Sequence, residues 1–394
     1  MRRHLSPSLA ALMSAATTLV PEAHAQTATG ADTESLVSYR FNEYDEDAFA
    51  PRPVIGSPER YGVISQQFQL ATPVGTDAAL SASATHEVMS GSSPWYVVPG
   101  PGNQPIQVMS GATIRDHRTA VSAAWTQGTG SSGGTTYSAS YSAERDYHAT
   151  AVGIERSVPL SAALTLGIGG SFSHDLIEPT DAQLYDRVQH AQKNTASLFG
   201  SLAWIIDRSS VLQTGIQINS EHGFLSDPYK LVTVGAGTIH DLRPGQRDQM
   251  AWLVRYRHAF AGPDASLHLD FRYAQDSWGV TSQTLEAAWY QPLPARWQLV
   301  PALRYYSQHE ARFYAPFFTD PSVHNFYTSD YRLGTFGAFS ASLNLRKRLG
   351  QWEFSGGVER YHGATHYALG GSDAAVPAVV SYTRAFIGLD YLLR

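Results

Sequence analysis

The feature that most constrains the fold is a regular alternation of apolar and polar residues between Tyr331 and His362. In the first arm apolar side chains take every second position, and after the turn at 349–351 the same pattern restarts at Trp352. Because successive side chains of a strand point to opposite faces, each arm has one apolar and one polar side. Strands of soluble sheets usually run about five or six residues. Arms of this length predict a hairpin of a closed barrel that crosses a membrane.

The same periodicity and its bounding turn residues predict about sixteen strands along the chain. They are 36–44, 60–71, 77–89, 113–126, 135–145, 147–157, 162–174, 193–206, 211–221, 247–260, 266–275, 280–290, 296–310, 331–348, 352–362 and 378–393. Their connections alternate largely between short turns and long loops, as in bacterial outer-membrane barrels. The predicted fold is all-β: a closed antiparallel transmembrane β-barrel of about sixteen strands, with short periplasmic turns and longer extracellular loops.

The N-terminus reads as a targeting segment. Arg2 and Arg3 precede a moderately apolar stretch, and Ala23-His24-Ala25 fits a cleavage site. We therefore predict a Sec-type signal peptide at 1–25, a periplasmic tail at 26–35, a barrel at 36–394 and an outer-membrane location. The formal charge of −6 argues against a nucleic-acid partner, and the absence of cysteine excludes disulfides and thiolate chemistry.

The aromatic residues predict two belts at the membrane interfaces. Five of them share the apolar faces of their strands near the predicted periplasmic ends: Trp204, Phe260, Trp297, Trp352 and Tyr391. Tyr273, Tyr305 and Tyr331 lie on the same faces toward the other end. The alternative interpretation is the aromatic core of a soluble β-sandwich.

Six arginines fall on the polar, lumen-facing sides of their strands, with acidic residues among them: Arg255, Arg257, Arg272, Arg304, Arg332 and Arg384. Guanidinium groups that share one lumen could select anions or bind a carboxylate or phosphate. They could equally pair with acidic neighbours and only fill the barrel. We predict a porin-like channel or transporter for a small hydrophilic solute, an anion if the first interpretation holds. No cofactor is predicted.

Three further features are open to two interpretations. Asp45 and Asp47 lie in the acidic segment 42–47 and are weak candidates for a hard cation, although the segment lacks the EF-hand spacing; a solvated acidic rim is the alternative. Ser307 and His309 share the outward face of one strand, which suggests a lipid-acting barrel enzyme or merely polar residues of a girdle. Val-Met-Ser-Gly at 88–91 recurs at 108–111 and brackets either a plug loop or ordinary strand-end turns.

Three passages resemble a known bacterial family. They are YRFNEYDE at 39–46, EVMSGSSPWY at 87–96 and SDYRLGTFGA at 329–338, and they resemble domain of unknown function 3570. The resemblance implies an exported barrel with no established activity, and as a further alternative a structural barrel of an envelope redox or flavin system.

The predicted partners follow from the barrel class. They are outer-membrane lipid and lipopolysaccharide, the barrel assembly machinery, the small solute and, in a trimeric form, further copies of the chain. The last strand carries Gly388, Tyr391 and Leu393 in the pattern of an insertion signal, but ends in Arg394 where Phe or Trp is usual.

Overall fold

The computed structural model describes residues 34–49, 54–110, 114–128, 133–320, 325–371 and 375–393. The predicted signal peptide at 1–25 and most of the tail at 26–35 therefore lie outside the described residues. The described strands are β1 (Ser35–Glu46), β2 (Val54–Ile55), β3 (Gly62–Val74), β4 (Ala78–Gly91), β5 (Pro94–Pro99), β6 (Pro105–Met109), β7 (Ile114–Gln127), β8 (Thr135–Ala143), β9 (Tyr147–Pro159), β10 (Leu164–Ile177), β11 (Ala191–Ile205), β12 (Ser210–Gly223), β13 (Leu231–Val234), β14 (Gly237–His240), β15 (Gln246–Phe260), β16 (Ala265–Asp276), β17 (Thr281–Leu293), β18 (Trp297–His309), β19 (Phe336–Leu349), β20 (Trp352–Ala364) and β21 (Ser381–Leu393).

Sixteen of these strands form one closed antiparallel barrel, which confirms the predicted fold. Neighbours along the chain pair with each other, and β1 pairs with β21 from Ser35 opposite Leu393 to Glu46 opposite Tyr382. Closure leaves no strand edge unpaired, as a sheet in lipid requires. No helix among the described residues is long and apolar enough to cross a membrane.

The two ends of the barrel differ in their connections. One end has short turns, such as 261–264 and 350–351, and β1 begins and β21 finishes at this same end. The other end has the long connections 47–61, 92–113, 178–190, 224–245, 310–335 and 365–380, together with short ones at 144–146 and 277–280. We call these the turn end and the loop end.

The hairpin with the clearest alternation begins later than predicted. β19 starts at Phe336, and the residues Tyr331–Leu333 form a single 3₁₀ turn. The reason is local: the Asp330 side chain accepts a hydrogen bond from the backbone N–H of Arg332 and caps this turn. Apolar residues at 331 and 333 continue the period of two, but they belong to the loop.

The two faces of the wall have opposite character. On the outward face large apolar side chains stay exposed, with Leu198 and Leu303 at 67% and Ile387 at 62%. The strand register places polar side chains on the lumen face of the same strands, for example Ser197 beside Leu198 and Arg304 beside Leu303. An apolar exterior around a polar interior is the arrangement of a barrel that sits in lipid.

Long loops close the loop end. β2, β5 and β6 make one small sheet, and β13 pairs with β14 in a second. Val54 of β2 and Met109 of β6 join a core with Phe49, Tyr331 and Val376, whereas Val232 and Val234 of β13 form a second core with Phe318 and Tyr327. Lumen-facing side chains on six strands around the circumference are buried beneath these loops: Glu46, Val63, Met89, Asp116, Gln308 and Ala338. We call the described parts of 47–61, 92–113, 224–245, 310–335 and 375–380 the cap, and it fills the loop end of the lumen.

Candidate functional site

The lumen contains one wall rich in arginine. Arg255 and Arg257 on β15, Arg272 on β16, Arg304 on β18 and Arg384 on β21 all face inward, as predicted from the alternation. Register links them to acidic residues: Arg255 lies opposite Asp270, Asp270 opposite Glu286, and Glu286 opposite Arg304. The opposite arc, from β4 to β11, presents mainly small side chains to the lumen, such as Ser83, Ser140, Ala151, Ser171 and Ser197.

The pairing of these arginines is incomplete. Arg257 makes a two-bond ion pair with Asp270, whereas the Nε of Arg255 lies 4.0 Å from an oxygen of the same carboxylate. The Nε of Arg384 lies 4.0 Å from Glu359. Among the described residues, no carboxylate lies within 4.0 Å of the guanidinium of Arg272 or Arg304. The wall thus keeps positive charge that its own acids do not neutralise.

Tyrosine rings lie next to this arginine wall. Tyr44 on β1 packs on Tyr382 with ring centroids 4.7 Å apart, and Tyr361 stacks on Tyr382 at the same distance. Tyr306 lies one lumen-facing position from Arg304 on β18 and donates its hydroxyl hydrogen to Gln308 at 2.6 Å. Ring faces and guanidinium groups together can hold an organic solute that has an anionic end.

A cavity of ≈ 690 Å³ lies at the turn end of the barrel. Its walls are lumen-facing ends of β17 to β20 with their turns, including Arg346, Arg348, Gln298 and Glu353. Arg296 lies in the turn at 294–296 and also lines the cavity. This cavity lies at the opposite end of the barrel from the cap.

Arg332, the sixth predicted lumen residue, lies elsewhere, and that prediction is wrong. It belongs to the cap, where its Nε donates to Asp330 at 2.8 Å and its Nη2 lies 2.9 Å from Asp227. Arg243 also bonds Asp330, at 2.9 Å, and Lys230 donates to the Pro94 carbonyl at 2.8 Å. With Asp241, this buried cluster contains three carboxylates and three cations.

The buried cluster ties three long loops together. Burial alone would raise the pKa of Asp330, but the charges of Arg332, Lys230 and Arg243 outweigh burial and hold that pKa well below its ordinary value. Burial lowers the pKa of Lys230. An ion pair network of this kind loses much stability when one partner is removed, because a buried charge is left alone. The cluster therefore fixes the cap in place.

A second buried group has the composition of a metal centre. Asp116, Glu144 and Asp146 bring carboxylate oxygens within 4.8 Å of one another, and the Tyr229 hydroxyl donates to Asp146. Burial, then the charges of Asp146 and Asp116, raise the pKa of Glu144 to about 8. Burial likewise raises the pKa of Asp146 to about 6. Carboxylate oxygens suit a hard divalent cation. Without a cation, protonation of one carboxylate reduces the repulsion between the three groups.

This carboxylate group is distinct from the acidic segment 42–47, which the sequence indicates as the candidate cation site. Asp45 and Asp47 are exposed, and Asp47 forms an ion pair with Arg360. The three clustered acids were detectable in principle, because Asp116 faces the lumen and Glu144 and Asp146 follow the loop end of β8. Nothing in the sequence, however, tells that the cap buries them.

Ser307 of the predicted lipid-enzyme pair is covered by another loop segment. We call residues 365–371 the strap, because they lie on the outward face of β18 to β20. The Leu369 backbone N–H donates to the Ser307 hydroxyl at 2.9 Å, and the Tyr305 hydroxyl donates to the Tyr367 carbonyl at 2.6 Å. Ser307 is only 3% exposed as a result. His309 stays exposed at the end of β18.

The aromatic residues of the predicted turn-end belt all face outward near that end. Trp352 packs on Tyr391 with centroids 4.3 Å apart, Phe260 packs on Trp289, and Lys347 lies over the ring of Trp297. Trp204 is exposed in the same region. Tyr331 is the exception at the other end: it is buried in the core of the cap, so its assignment to an interfacial belt is wrong.

Strand closure, an apolar exterior and a polar, capped lumen define the class of this protein as a closed sixteen-stranded membrane-type barrel. The chain belongs to the family described as "Protein of unknown function (DUF3570)", which it matches over residues 9–384. A comparison with the sequences of curated proteins finds no match.

Several solved barrels are similar at low identity. The siderophore receptor PirA from Pseudomonas aeruginosa is 12% identical with a TM-score of 0.43, and the match covers 90% of this chain and 61% of the receptor chain. A bacterial polysaccharide outer membrane secretin is 9% identical with a TM-score of 0.47, covering 91% and 98%. An anion-selective porin from Comamonas acidovorans is 11% identical with a TM-score of 0.41, covering 91% and 98%. The chain thus spans about three fifths of the receptor.

Proposed function

We propose that the protein is an outer-membrane barrel that binds and passes a small hydrophilic anion. The observation that carries the proposal is the pair Arg272 and Arg304, which face the lumen on β16 and β18 without a carboxylate within 4.0 Å among the described residues. A guanidinium on a lumen wall attracts anions and bonds carboxylate or phosphate oxygens in pairs.

The rest of the lumen supports the same proposal. Arg346 and Arg348 line the cavity at the turn end, so an anion would meet positive charge at that mouth and again at mid-barrel. Tyr306, Tyr361 and Tyr382 provide ring faces beside the arginines. The cap then acts as the gate, because it fills the loop end of the lumen.

The location and the partners belong to this proposal. Exposed apolar side chains on every side of the wall support a lipid environment, and a Sec-type signal peptide at 1–25 would deliver the chain to the outer membrane. Contact with lipopolysaccharide, insertion by the assembly machinery through β21 and a homo-oligomer stay predictions.

The test is ion selectivity in planar bilayers. We expect the reversal potential under a salt gradient to show anion preference, and the Arg272→Gln/Arg304→Gln double variant to reduce that preference severalfold. Arg115→Gln/Arg156→Gln is the matched control, because both arginines face outward, on β7 and β9, and the same two charges are removed outside the lumen. Cation preference of the unaltered protein, or an equal change in the control, would contradict the proposal.

A lipid hydrolase has less support. Ser307 would have to be free to attack an ester, yet its hydroxyl accepts the Leu369 N–H and the strap covers it. A structural barrel of an envelope redox system has no specific observation in its favour.

A further inference from the structure

Histidine is concentrated on one part of the outer wall. The arc from β4 through β7 to β12 carries five histidines on its outward face, each within five residues of the loop end of its strand: His86, His117, His148, His174 and His222. We call these five residues the histidine belt. Outward-facing side chains at this level meet the headgroup region of a membrane.

Strand register shows that the belt follows rows across the sheet. His86 pairs with Thr119, Thr119 with Ala143, and Ala143 with His148, so both histidines lie in one row. His174 and His222 both lie opposite Asn194, in a second row. His117 is a diagonal neighbour of His86, with ring centroids 5.9 Å apart. The belt therefore spans seven adjacent strands.

The wall holds these rings by one nitrogen each. Nδ1 of His86 is 3.2 Å from the Thr119 hydroxyl, and Nδ1 of His148 is 3.1 Å from the Tyr141 hydroxyl. Nδ1 of His174 is 2.8 Å from the Asn194 side-chain oxygen. In the described part of the chain no hydrogen bond engages Nε2 of these three rings. That nitrogen is left for a partner outside the protein.

Charge on this arc favours an anionic partner. Among the described residues of this arc, no Asp or Glu lies on the outward face. The charged residues there are Arg115 near the loop end and Arg156 near the turn end. Carboxylates of the same strands face the lumen instead: Glu87, Asp116, Glu155, Asp175 and Glu221. Beyond β3, two strands from β4, β1 carries Glu43 and Asp45 on its outward face.

We propose that the histidine belt binds the phosphate groups of anionic lipid headgroups on the loop side of the membrane. Imidazole is the side chain whose ordinary pKa, about 6.5, lies closest to physiological pH. A negatively charged lipid surface attracts cationic groups near it. The belt is thus a lipid-binding surface whose strength increases as pH falls. This rests on the barrel spanning a membrane and is independent of what the lumen passes.

The groups that face the belt set its pH response. His86 and His117 face each other, Arg115 shares the face of β7, and Tyr141 stacks on His148. At one flank, Asp248 of β15 bonds Ser220, which in turn lies 3.2 Å from Nε2 of His222. The outward face of β3, at the other flank, has no charged residue. Three carboxylates lie on the neighbouring outward faces: Asp248 on β15, and Glu43 and Asp45 on β1 beyond β3. They are fewer than the five imidazoles, so the belt is still able to become cationic.

The experiment measures lipid selectivity in phosphatidylcholine vesicles with spin-labelled phosphatidylglycerol or phosphatidylcholine. The phosphodiester of phosphatidylglycerol keeps its single negative charge over the pH range used. We expect preference for phosphatidylglycerol to increase as pH falls from about 8 to about 5.5, and to drop by about twofold or more when all five histidines become Gln. The control variant changes His190, His240 and His366 to Gln, since these lie in the loop-end connections, outside the sixteen barrel strands.

Each outcome has a definite meaning. Unchanged selectivity in the five-Gln variant, or complete loss of selectivity in Arg115→Gln alone, would overturn the proposal. If the five-Gln variant fails to fold, His86→Gln/His117→Gln and His174→Gln/His222→Gln are measured separately, and each must lose part of the preference. Failure of the lumen arginines to select anions would not affect this result, so the two proposals fail independently.

Discussion

At the scale of single residues, burial at the loop end changes the pKa of Glu144. Its pKa rises from 4.5 to about 8, first because of burial and then because Asp146 and Asp116 are close. A folded-state pKa above the unfolded one means that folding favours the protonated form. The contribution to stability is fully present below about pH 4.5 and is lost as pH rises through about 8.

Glu144→Gln tests this linkage. The amide resembles the protonated acid and does not ionise, so we expect the variant to lose less stability than the unaltered protein between about pH 6 and about pH 9. The measurement is the thermal unfolding midpoint by tryptophan fluorescence across that range. Glu59→Gln is the control, because Glu59 is exposed. Parallel pH curves for all three proteins would refute the assignment.

At the scale of elements, alternation of side chains predicted all sixteen barrel strands, because lipid and lumen impose a period of two on every strand. The same rule failed at Tyr331 and Arg332, where an aspartate cap on a 3₁₀ turn overrides it. The cap was beyond prediction, since it depends on contacts between distant loops, such as Lys230 with Pro94, 136 residues apart. The lumen arginines were predictable because they lie in regular strands.

The strap is an element whose position depends on one glycine. A Cβ on Gly337 would lie 2.2 Å from the Tyr367 carbonyl oxygen, so Gly337→Ala should push the strap off the wall and uncover Ser307. The chain has no cysteine, which makes Ser307→Cys a clean reporter. We expect maleimide labelling of this cysteine to be slow, and to increase at least about tenfold when Gly337→Ala is added, because reactivity follows exposure.

Gly200→Ala is the matched control for the strap. Gly200 also lies in a barrel strand, and a Cβ there would meet no atom within 4 Å. Labelling of Ser307→Cys should stay slow in that background. Fast labelling without the Gly337 change would mean that the strap does not cover Ser307 in solution.

At the scale of the whole molecule, the barrel has a cavity at the turn end and is filled by the cap at the loop end, so transport requires the cap to move. The hairpin of β5 and β6 is a natural part to remove, because its ends already meet: the Ser110 N–H donates to the Ser93 carbonyl at 2.9 Å. Removal also takes away the Pro94 carbonyl that holds Lys230 and the buried residues Val97 and Met109.

Replacing 94–109 with two glycines should therefore raise single-channel conductance severalfold, while anion preference persists because Arg272 and Arg304 are untouched. An equal-length Gly/Ser replacement of the strap is the control, since the strap lies on the exterior and its loss should leave conductance unchanged. If the deletion folds, as heat-dependent gel mobility would show, and still conducts no better than the unaltered protein, the cap is not the gate. The deleted residues carry no charge, so a shift to cation preference would contradict the assignment of selectivity to Arg272 and Arg304.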